Sequence, residues 1–303
     1  MAEQLQAIKP HTSQIALTGG SKTALVPLAC RASVDHTLPP ADWTPASRSA
    51  YQTITAAARR WAGQLDIDIR RTTGGRLTQR SVWLRDRWCL TRLDDLLQTP
   101  LSGTDAASPV TLIELGCGLS TFATGCSPWL PPGSRWLAVD EPPVLRIRSE
   151  LGVAHGERLV ELQRLAQDGP ECLAVAPGGR VVVIAMGFLM YLPPPRVERL
   201  FHTLTELSPT CGRIDILFDR CDRTLNRWSH RHPAFAAIGL KNLRFSWAMD
   251  RAGELPADQS RWRLISTADP IYGDLSRSIR AMVRAYRTLT GRDWYACDHW
   301  EIS

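Results

Sequence analysis

Gly116 and Gly118, with Glu114 just before them and Asp140 some twenty residues on, are the residues of this chain whose types and spacing best suit binding a ligand. Glycine has no Cβ, so the backbone can turn sharply there and a bound group can come close. Asp140 ends a second apolar run, where a carboxylate can accept hydrogen bonds from both hydroxyls of a ribose. The stretch Val110 to Glu150 (VTLIELGCGLSTFATGCSPWLPPGSRWLAVDEPPVLRIRSE) thus reads as strand, glycine turn, helix, strand and terminal acid, the layout of a nucleotide-type cofactor site. Two cofactors compete. A dinucleotide fingerprint is G-x-G-x-x-G, with the helix N-terminus carrying a pyrophosphate. Thr121 stands where the third glycine belongs. S-adenosylmethionine needs no phosphate cradle, and Glu114, Gly116, Gly118 and Asp140 supply the acidic strand, the turn and the ribose acid that it does need. A nicotinamide oxidoreductase is disfavoured by Thr121.

The elements that position these residues follow from hydrophobic period. Ser21–Asp35, Ala46–Gly63 and Thr78–Gln98 carry apolar residues at mixed three and four spacings and read as helices, broken at Pro39-Pro40 and at Thr72 to Gly75. A linker over Ser102–Pro109 leads into the first strand. Strands then alternate with helices: Arg135–Val139, Arg158–Gln163, the continuous β-branched run Arg180–Ala185, a helix over Pro194–Leu207, and Arg213–Phe218. Such alternation predicts an α/β fold with a doubly wound, mostly parallel sheet and ligands at the carboxyl ends of its strands. Arg223–Ile238 and Ser276–Thr288 are expected helices, and Arg261–Ser266 and Trp294–Ile302 closing antiparallel strands. The expected organisation is an N-terminal helical region over residues 1–100 that packs on and caps a core over residues 101–303, with a cap insertion at about 220–260.

Composition narrows the function classes. The chain has 303 residues, 44% of them hydrophobic, and a net charge of +6 carried almost entirely by arginine. The arginines are dispersed with no basic tail, which argues against nucleic acid and leaves some of them to bind carboxylates. No segment approaches the roughly 20 apolar residues of a membrane span, and the first residues lack the basic-then-apolar pattern of a secretory signal. The eight cysteines are scattered, with no C-x-x-C and no zinc spacing, so reduced thiols in a cytoplasmic protein and no metal are expected. Candidate acceptor residues lie after the fifth strand in NRWSHRHPAF: His230 and His232, with Arg220, Arg223 and Arg231 nearby. Eleven tryptophans are many for this length, and Trp247 in FSWAMD is the favoured pocket member.

The pieces LIELGCGLST, LAVDEPPVLRIRSEL, VVVIAMGFLMYLPPPRVERLF and IDILFD, with SKTALVPLACRAS near the N-terminus, resemble the leucine carboxyl methyltransferase family over about residues 21–220. They are most similar to its bacterial branch of secondary-metabolite O-methyltransferases, the tetracenomycin carboxyl methyltransferase type. The resemblance implies a class I, Rossmann-like methyltransferase core that binds S-adenosylmethionine. It places Gly116, Cys117 and Gly118 against the cofactor, Asp140 on its ribose, and Ala166 to Asp168 near its adenine, with Met186 where many members carry an acid. It implies an arginine before the sheet for the cofactor carboxylate, matched by Arg85 and alternatively by Arg92, and it sets Tyr191 on the methyl-transfer side. The implied reaction is O-methylation of a small-molecule carboxylate, free or carrier-bound, in secondary metabolism such as polyketide synthesis. Tyr191 and His230 are the catalytic candidates, and Tyr191, Arg220, His230 and Trp247 the substrate-binding ones. Phenol or alcohol acceptors stay open, because those need a base such as histidine. The family has Asp where Ser120 stands, Arg where Phe122 stands, and an acid at the position of Leu90. These departures, with Met186, motivate a second reading, a non-methylating or regulatory protein on the same fold. Asp140-Glu141-Pro142-Pro143 looks like an amino-methyltransferase signature but follows the second strand, so base methylation is disfavoured.

Overall fold

Val110–Leu115 (β1) is buried along its whole length, and its two neighbours are both parallel to it. On one side lies Arg135–Asp140 (β2), on the other Arg180–Ala185 (β4). Strands buried on both faces are predominantly apolar, and β4 is continuously aliphatic from Val181 to Ala185. The sheet order is β3-β2-β1-β4-β5-β7-β6, where β3 is Glu157–Glu161, β5 Arg213–Cys221, β6 Trp262–Ala268 and β7 Tyr295–Ile302. The first five strands are parallel; β7 runs antiparallel to β5 and β6 antiparallel to β7. The order reverses between β1 and β4, and an open α/β sheet forms its ligand crevice at the carboxyl ends beside that reversal. This computed structural model describes residues 17–34, 43–99, 108–154, 156–255, 259–272 and 276–303. The expected break at Pro39-Pro40, most of the Ser102–Pro109 linker and the N-terminal residues read for a signal lie outside them.

The period-two alternation of the strands sorts their side chains between two layers. Ile113, Leu115, Val181, Val183, Ile216 and Phe218 face one core, where Val197, Leu200, Phe201 and Leu204 of the helix Pro194–Leu207 cover them. Leu112, Val182, Ile184 and Leu217 face the other, packed by Tyr51, Ile54, Trp88 and Leu93 from the N-terminal helices. Those helices are α1 (Leu25–Ala32), α2 (Pro45–Gln64), the single turn α3 (Ile69–Thr72) and α4 (Arg76–Gln98). The Thr44 side chain accepts from Ser47 N–H to cap α2, and Pro45 opens it with the φ a first turn wants. Further helices are α5 (Phe122–Cys126), α6 (Pro142–Leu151), α7 (Leu162–Gln167), α8 (Pro194–Leu207), α9 (Arg223–Trp228), α10 (Pro233–Ala237) and α11 (Arg277–Thr290). No described helix is long and apolar enough to cross a membrane.

Several expected elements are shaped differently. The first begins as a 3-10 turn over Gly19–Ala24 before α1, and the Asp35 end of the expected helix lies outside the described residues. The single helix expected over Arg223–Ile238 is broken in two. Residue 232 precedes Pro233 and so takes an extended conformation, which ends the first piece and starts α10 afresh. The third strand stops at Glu161, because Leu162 already opens α7.

Candidate active site

A cavity of about 670 Å³ opens at the carboxyl ends of β1, β2, β4 and β5. Its floor is the turn after β1. Gly116 N–H and Cys117 N–H both donate to Val139 O, at 2.8 and 3.2 Å, which binds the turn to β2. Gly116 has φ +62°, and a Cβ there would fall 2.1 Å from Phe188 Cδ2, so both conformation and space demand glycine. Arg148 holds the turn from below. Its buried guanidinium donates to the carbonyls of Gly118 (3.3 Å) and Ser120 (2.5 Å) and to Glu157 Oε1 at 2.5 Å.

Asp140 closes this end of the cavity. Gly118 N–H donates to its Oδ2 at 2.6 Å and Glu141 N–H to its Oδ1 at 2.7 Å. Each oxygen keeps a second lone-pair direction, so the carboxylate is oriented but not exhausted. Burial pushes its carboxyl above the ordinary range, and these two N–H donors oppose the shift. Burial pushes Glu114 up as well, against the pull of Arg148, and Glu114 accepts from Trp136 Nε1 at 3.1 Å.

Two buried arginines enter from the N-terminal helices. Arg85 on α4 donates from Nη1 to Asp219 Oδ2 at 3.3 Å, and its Nε is buried without a partner. Asp219, near the end of β5, also accepts from Gly187 N–H at 2.6 Å and from the Tyr295 hydroxyl at 2.7 Å. Gly187 has φ +65°, and a Cβ there would meet Arg85 Nη1 at 2.5 Å. Arg31 on α1 makes a two-point pair with Asp86, at 2.7 and 3.0 Å, while its guanidinium lies 4.7 Å from the Phe122 ring centroid. All four residues Arg31, Arg85, Asp219 and Phe122 line the cavity.

The opposite wall is aromatic. Tyr191, Phe235 and Phe245 contact one another at ring distances of 5.2 to 6.3 Å, and Trp228 and His232 line the same wall. Burial pushes the Tyr191 phenol well up and the His232 imidazole down. His232 Nδ1 accepts from Ala234 N–H at 3.3 Å. The neutral ring therefore carries its proton on Nε2.

No family model matches the chain. It is 33% identical over 132 residues to a "putative S-adenosyl-L-methionine-dependent methyltransferase" of Streptomyces coelicolor, covering 41% of this chain and 44% of that protein. A Frankia alni protein of the same description is 30% identical over 180 residues, 57% of this chain and 54% of its own length. The chain thus spans about half the length of the curated relatives it matches. Among solved structures, a "putative methyltransferase" from Thermobifida fusca superposes with a TM-score of 0.50 at 14% identity, covering 87% of this chain and all of that one. The chain has a methyltransferase fold.

Within the methyltransferase fold, the structure brings most of the sequence-predicted residues together. Arg85, Glu114, Gly116, Cys117, Gly118, Asp140, Met186 and Tyr191 all line the one cavity. The alternative arginine, Arg92, is half-buried at the surface, paired with Asp95 at 3.2 Å, and does not line the cavity. Five predicted residues are placed elsewhere. Ala166 and Asp168 are exposed, Asp168 pairing with Arg164 of its own turn, and from that segment Leu162 reaches the cavity instead. Arg220 is fully buried away from the cavity, donating to Asp298, to Asp293 and to the carbonyls of Met249 and Asp250. Trp247 packs on Phe201 and Phe218 in the core. His230 stacks on Trp228 outside the cavity, and its neighbour His232 takes the wall position. Sequence reasoning missed Arg31, Asp219, Tyr295 and Phe245. Arg31 and Asp86 are 55 residues apart and Arg85 and Asp219 are 134 apart, so nothing local marks either pairing.

Proposed function

We propose that this chain transfers a methyl group from S-adenosylmethionine to an oxygen of a small-molecule acceptor, and that the oxygen belongs to a carboxylate. One observation carries the reading. A single continuous cavity joins the glycine turn, Asp140 and Arg85 to the aromatic wall of Tyr191, His232, Phe235 and Phe245. The residues fit the cofactor. Asp140 has spare lone pairs for ribose hydroxyls, Gly116 leaves the floor open, and Arg85 is a buried cation with an unpartnered Nε suited to a carboxylate. The relatives described as S-adenosyl-L-methionine-dependent methyltransferases support the same cofactor.

When bound, S-adenosylmethionine supplies an activated sulfonium methyl. The chain then has to hold the acceptor in line and keep water out. The aromatic wall does the second. For the first, the polar groups on that wall are donors. Burial keeps the Tyr191 phenol protonated and the His232 ring neutral, and the Ala234 N–H occupies the Nδ1 lone pair. Neither group is set to take a proton, which a phenol or alcohol acceptor requires. A carboxylate is already ionised at neutral pH and welcomes two donors. Incubation with methyl-labelled S-adenosylmethionine and a panel of carboxylic acids and phenols tests this. Labelled products from the acids should release methanol on alkaline hydrolysis. Hydrolysis-stable products from the phenols alone would reject the carboxylate, and absence of calorimetric S-adenosylmethionine binding would reject the whole proposal.

A further inference from the structure

The outer rim of the cavity carries a cation that nothing above uses. The Arg231 guanidinium lies 4.3 Å from the ring centroid of Trp228, and both residues line the cavity. Trp228 is 47% exposed, so this stack stands at the mouth and not in the core. Stacking occupies the flat face of a guanidinium and leaves its five N–H groups free around the edge, in the plane that matches a carboxylate or phosphate. Among the described residues Arg231 has no hydrogen bond or ion pair to use them.

The neighbouring surface reinforces the sign. Helices α9 and α11 are joined by a 2.9 Å hydrogen bond between the Thr224 and Tyr286 hydroxyls, and Ile279 and Met282 of α11 line the cavity beside Trp228. Neither residues 223–231 nor residues 276–292 contain any aspartate or glutamate. Arg223, Arg287 and Arg292 are offset by Asp250 and Asp293. Arg227, Arg277, Arg280 and Arg284 have no ion pair among the described residues either; they lie on these two helices but do not line the cavity, so they add to the field around it and not to the site. The carboxylate that the cavity does hold here, Asp269, has its Oδ1 bound by the N–H groups of Ile271 and Tyr272. A surface with an excess of one sign beside an apolar mouth concentrates ligands of the other sign.

We infer that this rim binds a second anionic group, a carboxylate or phosphate at the far end of the acceptor, with Arg231 as its two-point partner. The inference rests on reading the cavity as an acceptor site. The acceptor then enters with one charged end at Tyr191 and His232, its apolar body against Trp228, Phe235 and Met282, and its other charged end at the mouth. The same chemistry serves a free diacid and an acceptor attached through a phosphate ester.

Calorimetric titration of the full chain, saturated with S-adenosylhomocysteine, tests it with three probes: naphthoate, naphthalene dicarboxylate, and a naphthoate bearing a methyl phosphate diester. The doubly anionic probes should bind about tenfold tighter than naphthoate at low salt. That gap should close in Arg231→Gln and narrow in Arg231→Lys, which keeps charge without the flat fork. It should also shrink at about 0.5 M salt. A tighter dicarboxylate than phosphate ester points to a free diacid, and the reverse order to an attached acceptor. Equal affinities, no binding of any probe, or a gap that survives Arg231→Gln would overturn the inference. S-adenosylhomocysteine binding by Arg231→Gln reports that the variant is folded. Should the wild-type chain fail to bind S-adenosylhomocysteine yet still distinguish the probes through Arg231, the methyltransferase reading falls and the anion rim stands.

Discussion

Asp140, in the proposed role, would place two opposed demands on one carboxylate. Burial outweighs its two N–H donors and holds its carboxyl above the unfolded-state value. The native chain therefore binds more protons than the unfolded chain between those two pKa values. Asp140's contribution to stability is fully present below the unfolded pKa and is lost as pH rises through the folded one. With Asp140 in the proposed ribose role, cofactor affinity should run the other way, because ribose hydroxyls would donate to the ionised form and lose that acceptor as pH falls through the raised value. Asp140→Asn should flatten both dependences, checked by denaturant unfolding and by S-adenosylmethionine titration over a pH series; unchanged slopes would remove Asp140 from the ribose. Arg85→Ala should weaken S-adenosylmethionine by about 1.5–3 kcal/mol, the worth of a hydrogen bond to a charged group. Arg92→Ala, on the surface, should leave it unaltered. The same titration compares the two.

At the scale of elements, the site is held by joints between segments far apart in the chain. Arg220 is the largest such joint outside the cavity, tying β5 to Asp298 on β7, to Asp293 just before it and to the backbone at residues 249–250. Arg220→Ala would leave Asp298 buried without its charge partner, a loss of about 3–5 kcal/mol. Denaturant unfolding should register it, and cofactor affinity in the fraction still folded should stay near wild type. A large loss of affinity with little loss of stability would return Arg220 to the binding site. The broken helix over 223–237 matters in the same way. Pro233 forces residue 232 out of helical conformation, and that bend turns His232 to the cavity while His230 stacks on Trp228 outside it.

For the whole molecule, the proposed reaction has a pH signature. Transfer to a carboxylate needs no base, so single-turnover rates with a carboxylic acid should be flat from about pH 6 to 8, where the acid is fully ionised. A rate that climbs with a slope of one per pH unit would instead mark a deprotonated phenol as the acceptor. The arginine-rich surface belongs to this scale too: a net charge of +6 says little by itself, whereas the fold sets the guanidinium of Arg231 on Trp228 at the cavity's rim.

Much of this was readable in the chain alone. The parallel strands were, because strands buried on both faces must be predominantly apolar, and Arg180–Ala185 and Pro194–Leu207 fall where the pattern puts them. The glycine turn and Asp140 were, because turn, strand and acid are close in sequence and their chemistry is local. The departures at Ser120 and Phe122 could be seen but not weighed: in the fold, Ser120 is clamped by Arg148, and Phe122 lies under Arg31. What only the tertiary structure decided is which charged and aromatic side chains share a space. Arg85 over Arg92, His232 over His230, and Trp228 over Trp247 are choices between near neighbours of identical type. They turn on which face of a helix or loop meets the sheet's carboxyl ends, and that is set by partners distant in the chain, such as Asp219 for Arg85 and Phe201 for Trp247.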